Sequence, residues 1–200
     1  MPLSVGEKAP LFELPASTGQ HISLPSLAGK TVVLYFYPRD DTPGCTTEAC
    51  GFRDSYDALK AAGVEVLGVS ANSLRAHTKF TEKYHLPFPL LSDTDKTVAT
   101  AYGARGKKLV RGRPVVGMKR MTFLIDAAGT MQRIWSTVKP PGHAVEVLAH
   151  VRMVRLGGTA PRAQGAVDVT VVYEVRACRL TPSPDSTGKT SRCVPCQAMH

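Results

Sequence analysis

Two cysteines five residues apart, Cys45 and Cys50, stand in the segment 37–50, which reads YPRDDTPGCTTEAC. Cys45 follows a Thr42-Pro43-Gly44 turn and opens what reads as a helix. A helix start gathers unpaired backbone N–H groups and the positive end of the helix dipole, and such a place favours a thiolate over a thiol. The thiolate is the nucleophilic form of cysteine, so the segment is suited to covalent sulfur chemistry. Pro38 and Thr42, seven and three residues before Cys45, belong to the same turn and are candidates to shape its surroundings.

The flanking sequence supplies the elements that must hold this turn. Residues 31–37, TVVLYFY, form a run of β-branched, aliphatic and aromatic residues that predicts a strand buried on both faces. After the turn, Cys45, Ala49, Phe52, Tyr56 and Leu59 recur at helical spacing, and Gly63 reads as the stop. Residues 64–70, VEVLGVS, predict a second buried strand. Asn72 or Ser73 then caps a helix carrying Ala76, Phe80 and Tyr84 on one face. Pro87 and Pro89 punctuate an extended piece ending at Leu91, and residues 95–102 read as a short helix. Two strands, 121–126 and 131–136, join through a Gly129 turn, and Gly142 precedes a last helix with Val147, Val151 and Val154 on one face. This order predicts a thioredoxin-like α/β sandwich.

At 200 residues the chain suits one domain with an extension. The reading places a domain at 1–156 and a largely irregular segment at 157–200, where apolar residues at every second position from Val167 to Val175 predict a strand. The first fifteen residues contain Glu7 and Glu13 and no apolar stretch, unlike a secretory signal or a transit peptide. No run is long enough to span a membrane. A cytoplasmic protein whose mature chain starts close to Met1 is the expectation. The formal charge is +9, and residues 105–120 hold seven Lys or Arg and no acid. Without interleaved aromatics or a nucleic-acid motif, this stretch reads as a solvated basic loop beside an anionic reaction centre rather than a nucleic-acid surface.

The resemblance to a known family rests on these residues. Pro38, Thr42 and Cys45 match the P-x-x-x-T-P-x-C motif of peroxiredoxins, and CTTEACGFRD, with its second cysteine, resembles the bacterioferritin comigratory protein or peroxiredoxin Q branch. The likeness spans roughly residues 3–155, including strand TVVLYFYP and the later KRMTFLID. It implies a thiol peroxidase that reduces hydrogen peroxide and organic hydroperoxides, with no cofactor and with electrons from thioredoxin or a similar dithiol protein. It also implies roles: Cys45 as peroxidatic nucleophile, Thr42 holding the peroxide oxygens, Pro38 closing the pocket, and Arg120 as the distant arginine whose cation stabilises negative charge.

Cys50 would then resolve the oxidised Cys45. Five residues of helix give about 7.5 Å of rise and about 500° of rotation, so the two sulfurs point about 140° apart. Their Cα atoms lie roughly 8–9 Å apart, beyond the ~7 Å that a disulfide spans. A Cys45–Cys50 disulfide therefore requires the first turns of the helix to unwind. The charged neighbours Arg53, Asp54 and Asp57 predict a polar face around Cys50, and Gly44 and Gly51 lower the cost of opening. The alternative is a bystander Cys50, with an external thiol resolving Cys45.

Other candidates are weaker. Cys193 and Cys196 form a C-x-x-C pair that suits dithiol exchange or half a zinc site, and Cys178 and His200 complete four ligands only on paper. His21, His77, His85, His143 and His150 are scattered without metal spacing, and His77, among charged neighbours, is expected on a solvated face. No metal is called for, and a monomer or weak dimer is expected. Two rival readings stand beside the peroxidase. One is a thiol–disulfide oxidoreductase or redox sensor on the same fold; the other is a basic tail that binds nucleic acid or a membrane surface.

Overall fold

A computed structural model of the protein describes residues 3–110 and 113–155. The segment 157–200, with its predicted strand and Cys178, Cys193 and Cys196, lies outside the described residues. A short antiparallel hairpin of β1 (Glu13–Pro15) and β2 (His21–Ser23), absent from the sequence reading, precedes the main sheet. Then come β3 (Thr31–Phe36), α1 (Pro43–Asp54), α2 (Tyr56–Ala61), β4 (Val64–Ser70), α3 (Leu74–Tyr84), β5 (Leu90–Ser92) and α4 (Thr97–Ala101). A two-stranded ribbon of β6 (Arg105–Val110) and β7 (Arg113–Met118) leads to β8 (Met121–Ile125), β9 (Met131–Trp135) and α5 (His143–Arg155).

The central sheet has the order β5-β4-β3-β8-β9. β3, β4 and β5 run parallel, and β8 pairs antiparallel with both β3 and β9. β3 is central, as its unbroken apolar run requires, and Val32 to Tyr37 are all at most 1% exposed. Its alternate residues serve two cores. Val33, Tyr35 and Tyr37 pack with Ala49, Phe52, Phe80 and Val147 from α1, α3 and α5. Val32, Leu34 and Phe36 pack with Leu14, Val98 and Ala99 from the N-terminal hairpin and α4. This is the thioredoxin-like α/β sandwich that the element order predicts. Gly68, isolated within β4, makes room for a neighbour, since a Cβ there would lie 2.7 Å from the Tyr35 hydroxyl.

Four expectations change. The helix predicted through Leu59 breaks at Ser55, where Asp54 and Ser55 are poor helix formers; α2 then runs to Ala61, and Gly63, with φ of +63°, lies in the turn that stops it as expected. The basic stretch 105–120 is a β-ribbon rather than a loop. It escaped detection because Arg105, Lys107, Val115 and Val116 are all exposed, so no face alternates. His77 is not solvated: its side chain is fully buried, because helix α3 turns it inward beside Phe80. Cys50 does not lie on a polar face either. It is 4% exposed, because α1 packs against α5 at this level, with Gly51 facing Ala144.

Candidate active site

The site forms where β3 leaves the sheet. Residues 37–42 turn the chain into α1, with Thr42 as an extended N-cap and Pro43 in the first turn, where its missing N–H costs no hydrogen bond. The Thr42 hydroxyl makes no capping bond; it donates to the Arg39 carbonyl at 3.0 Å, leaving its lone pairs as acceptors. Pro38 is half-buried at the start of this turn. Cys45 lies in the first turn of α1 and is 2% exposed.

Arg120 reaches the same point from the other end of the chain. β8 pairs antiparallel with β3, with Met121 opposite Phe36, so the residue before β8 lies beside the loop that leaves β3. From there Arg120 Nη2 donates to Cys45 Sγ at 3.1 Å. The guanidinium lies close over the backbone here, since a Cβ at Gly44 would stand 3.4 Å from the same nitrogen. The other guanidinium nitrogen, Nη1, pairs with Glu48 Oε2. Glu48 falls one turn after Cys45, so both face Arg120.

Glu48 is 1% exposed, and its Oε1 has no hydrogen-bond partner among the described residues. Burial disfavours its charged form and pushes its pKa up to about 7, with the Arg120 cation offsetting part of that rise. Burial also presses on the guanidinium, yet Glu48 and Cys45 together outweigh it and raise the Arg120 pKa. Arg120 therefore remains a fixed cation. Beneath it, burial raises the Tyr35 pKa well above the usual phenol range, and Glu48 adds to that rise. Cys50 sits on the same continuous helix as Cys45, and both are thiols. By helical geometry their Cα atoms remain roughly 8–9 Å apart.

The family described as AhpC/TSA matches residues 5–134. The chain belongs to this family. A Coxiella burnetii protein named a putative peroxiredoxin bcp is 52% identical over 151 residues, which cover 76% of this chain and 100% of that protein. The Bacillus subtilis peroxiredoxin Bcp is 43% identical, covering 74% and 94% of the two chains. Among solved structures, Xanthomonas campestris bacterioferritin comigratory protein superposes with a TM-score of 0.68 at 38% identity, covering 72% of this chain and 91% of that one. The work reporting it concerns alkyl peroxide reduction activity. These relatives make the chain a peroxiredoxin, an oxidoreductase of the peroxidase type.

In this peroxiredoxin, Cys45 and Arg120 are in direct contact, Thr42 heads the same helix, and Pro38 stands at the start of the loop. Cys50 is close in sequence and held apart by the helix. Two functional candidates were not recognised from the sequence: Glu48 was passed over, and His77 was expected on a solvated face. Glu48 had a readable signal, its position three residues after Cys45 on a helix, but a glutamate in TTEAC reads as solvent-facing until Arg120 is placed over it. His77 gave no such signal, because its partner Asp40 lies 37 residues away. No described helix is long and apolar enough to cross a membrane, and no described group of His, Cys, Asp and Glu could hold a metal.

Proposed function

We propose that this peroxiredoxin reduces hydrogen peroxide and organic hydroperoxides through Cys45, forms a Cys45–Cys50 disulfide, and is re-reduced by thioredoxin or a similar dithiol protein. The carrying observation is the 3.1 Å contact between Arg120 Nη2 and Cys45 Sγ, which sets a fixed cation beside the sulfur. The Cys45 thiolate attacks one peroxide oxygen, and the O–O bond breaks with its electron pair leaving on the other. That oxygen takes a proton and departs as water or alcohol, while the sulfur becomes a sulfenic acid. Arg120 stabilises the charge that develops on the leaving oxygen. The Thr42 hydroxyl, with lone pairs left to accept, orients the peroxide, and Pro38 limits water at the sulfur. The Cys50 thiolate then displaces hydroxide from the sulfenic sulfur, which requires α1 to unwind between the two cysteines. A dithiol reduces the disulfide by exchange and returns both thiols.

The alkyl peroxide work on the Xanthomonas campestris relative supports organic hydroperoxides as substrates. A disulfide carrier has no need of Thr42 and Arg120 around its cysteine, which favours the peroxidase reading. A cytoplasmic location and a monomer or weak dimer accompany this proposal. Peroxide consumption with thioredoxin and its reductase tests it. Cys45→Ser should lose turnover by at least about 10³-fold. Cys50→Ser should keep the first oxidation within about 2-fold and accumulate sulfenic acid in place of the disulfide. Undiminished turnover in Cys45→Ser defeats the assignment.

A further inference from the structure

We propose that His77 is a positioning residue for the reaction at Cys45, holding through Asp40 the loop that carries Pro38 and Thr42. The proposal rests on the peroxidase reading. Asp40 lies five residues before Cys45 in a connecting loop, where a carboxylate ordinarily faces water, yet it is only 7% exposed. The Tyr37 hydroxyl donates to Asp40 Oδ1 at 2.7 Å. His77 Nδ1 lies 2.9 Å from Asp40 Oδ2 and 3.4 Å from the Tyr37 hydroxyl, so the ring edge packs against the Tyr37–Asp40 pair. The ring is itself pinned from behind. Its Nε2 faces the Leu91 carbonyl at 3.2 Å and must donate to it, because a carbonyl only accepts.

The backbone of the loop is tied to the same place. Asp40 N–H donates to Asn72 Oδ1 at 3.2 Å, and Asn72 is held by the hydroxyls of Ser70 and Ser92. These ties matter because the next residue, Asp41, adopts φ of +55°, a left-handed conformation that a non-glycine residue holds only when its surroundings impose it. Asp41 has a second anchor on α3, Lys83 and Tyr84, at 2.8 and 2.7 Å. That anchor is exposed, and an exposed ion pair contributes little. The buried cluster at Asp40 is therefore what defines the loop, and His77 is its link to α3. Thr42 follows directly, so a loop released at Asp40 moves the peroxide-facing hydroxyl relative to Cys45 while leaving Arg120 against the sulfur.

Two rates in the full-length protein separate this role from a merely structural one. Single-turnover oxidation of Cys45 by hydrogen peroxide needs an oriented peroxide. Alkylation of Cys45 by iodoacetamide, read by mass spectrometry, needs only the nucleophilic sulfur. His77→Ala and the isosteric Asp40→Asn should slow peroxide oxidation by about 10- to 100-fold and leave alkylation within about 2-fold. His77→Asn, whose amide nitrogen takes the place of Nδ1, should recover most of the rate. Lys83→Ala should change either rate by less than about 2-fold. If His77→Ala does not fold, Asp40→Asn and His77→Asn carry the test. Peroxide oxidation at the wild-type rate in these variants overturns the proposal, as does an equal fall in both rates. A wild-type protein whose Cys45 peroxide does not oxidise would instead remove the peroxidase reading, and the proposal with it.

Discussion

Cys45 and Cys50 occupy one helix, are buried to nearly the same degree, and differ in what surrounds them. At Cys45 a guanidinium enters the helix start and bonds the sulfur, with the buried Glu48 beside it. Around Cys50 the helix is packed, with Gly51 facing Ala144 of α5 and Phe52 edge-on to His143. Burial therefore does not distinguish the two sulfurs; what marks Cys45 is the guanidinium in direct contact with it. On the proposed mechanism the labour of the helix divides: its first turn stays formed while peroxide reacts, and the turns that follow open for the disulfide to close.

The largest effect should come from removing the charge. Arg120→Met should lower peroxide oxidation of Cys45 by about 10²–10³-fold in stopped-flow measurements, as loss of a preorganised donor does elsewhere. A change below tenfold would erase the contrast between the two ends. Next is the carboxyl beside Arg120. Its pKa in the folded protein, about 7, lies above the ordinary 4.5, so the folded state prefers Glu48 protonated. That contribution is full below pH 4.5 and lost as pH rises through about 7. Glu48→Gln never ionises. Denaturant titrations should therefore show wild-type stability falling relative to this variant by about 3 kcal/mol across that range. Parallel pH curves would contradict the buried, partly unsatisfied carboxyl. The smallest effect concerns the opening turns. Among the described residues, a Cβ at Gly51 meets only Ala144 at 3.6 Å, an ordinary contact. Gly51→Ala should thus stabilise α1 by about 0.5–1 kcal/mol. Disulfide closure after oxidation should slow by about 2- to 5-fold at an unchanged peroxide step. Equal closure rates in the two proteins would mean that unwinding of α1 does not limit the second step.

Local patterns in the sequence carried much of the architecture. The run TVVLYFY could only be a central strand, and the 3.6-residue stripes marked the helices that cover it. The β6–β7 ribbon and the N-terminal hairpin were not legible. The ribbon exposes both faces and the hairpin strands have three residues each, so neither imposes an apolar alternation. The break at Ser55 was hidden for a different reason, since the helical stripe continues across it to Leu59. The surroundings of Cys50 were misjudged because charged neighbours in sequence do not report how a helix is turned against another helix.

The sequence by itself determined the candidate nucleophile, its place at a helix start, and the covalent distance to Cys50, because those depend on neighbours along the chain. Tertiary structure decided which distant groups meet them. Antiparallel pairing of β8 with β3 delivers Arg120 to a sulfur 75 residues away. Burial then makes Glu48 a perturbed acid, and α3 turns His77 inward onto Asp40. The physical reason is that the electrostatics of a buried site depend on distance and desolvation, and both arise only once the sheet has closed.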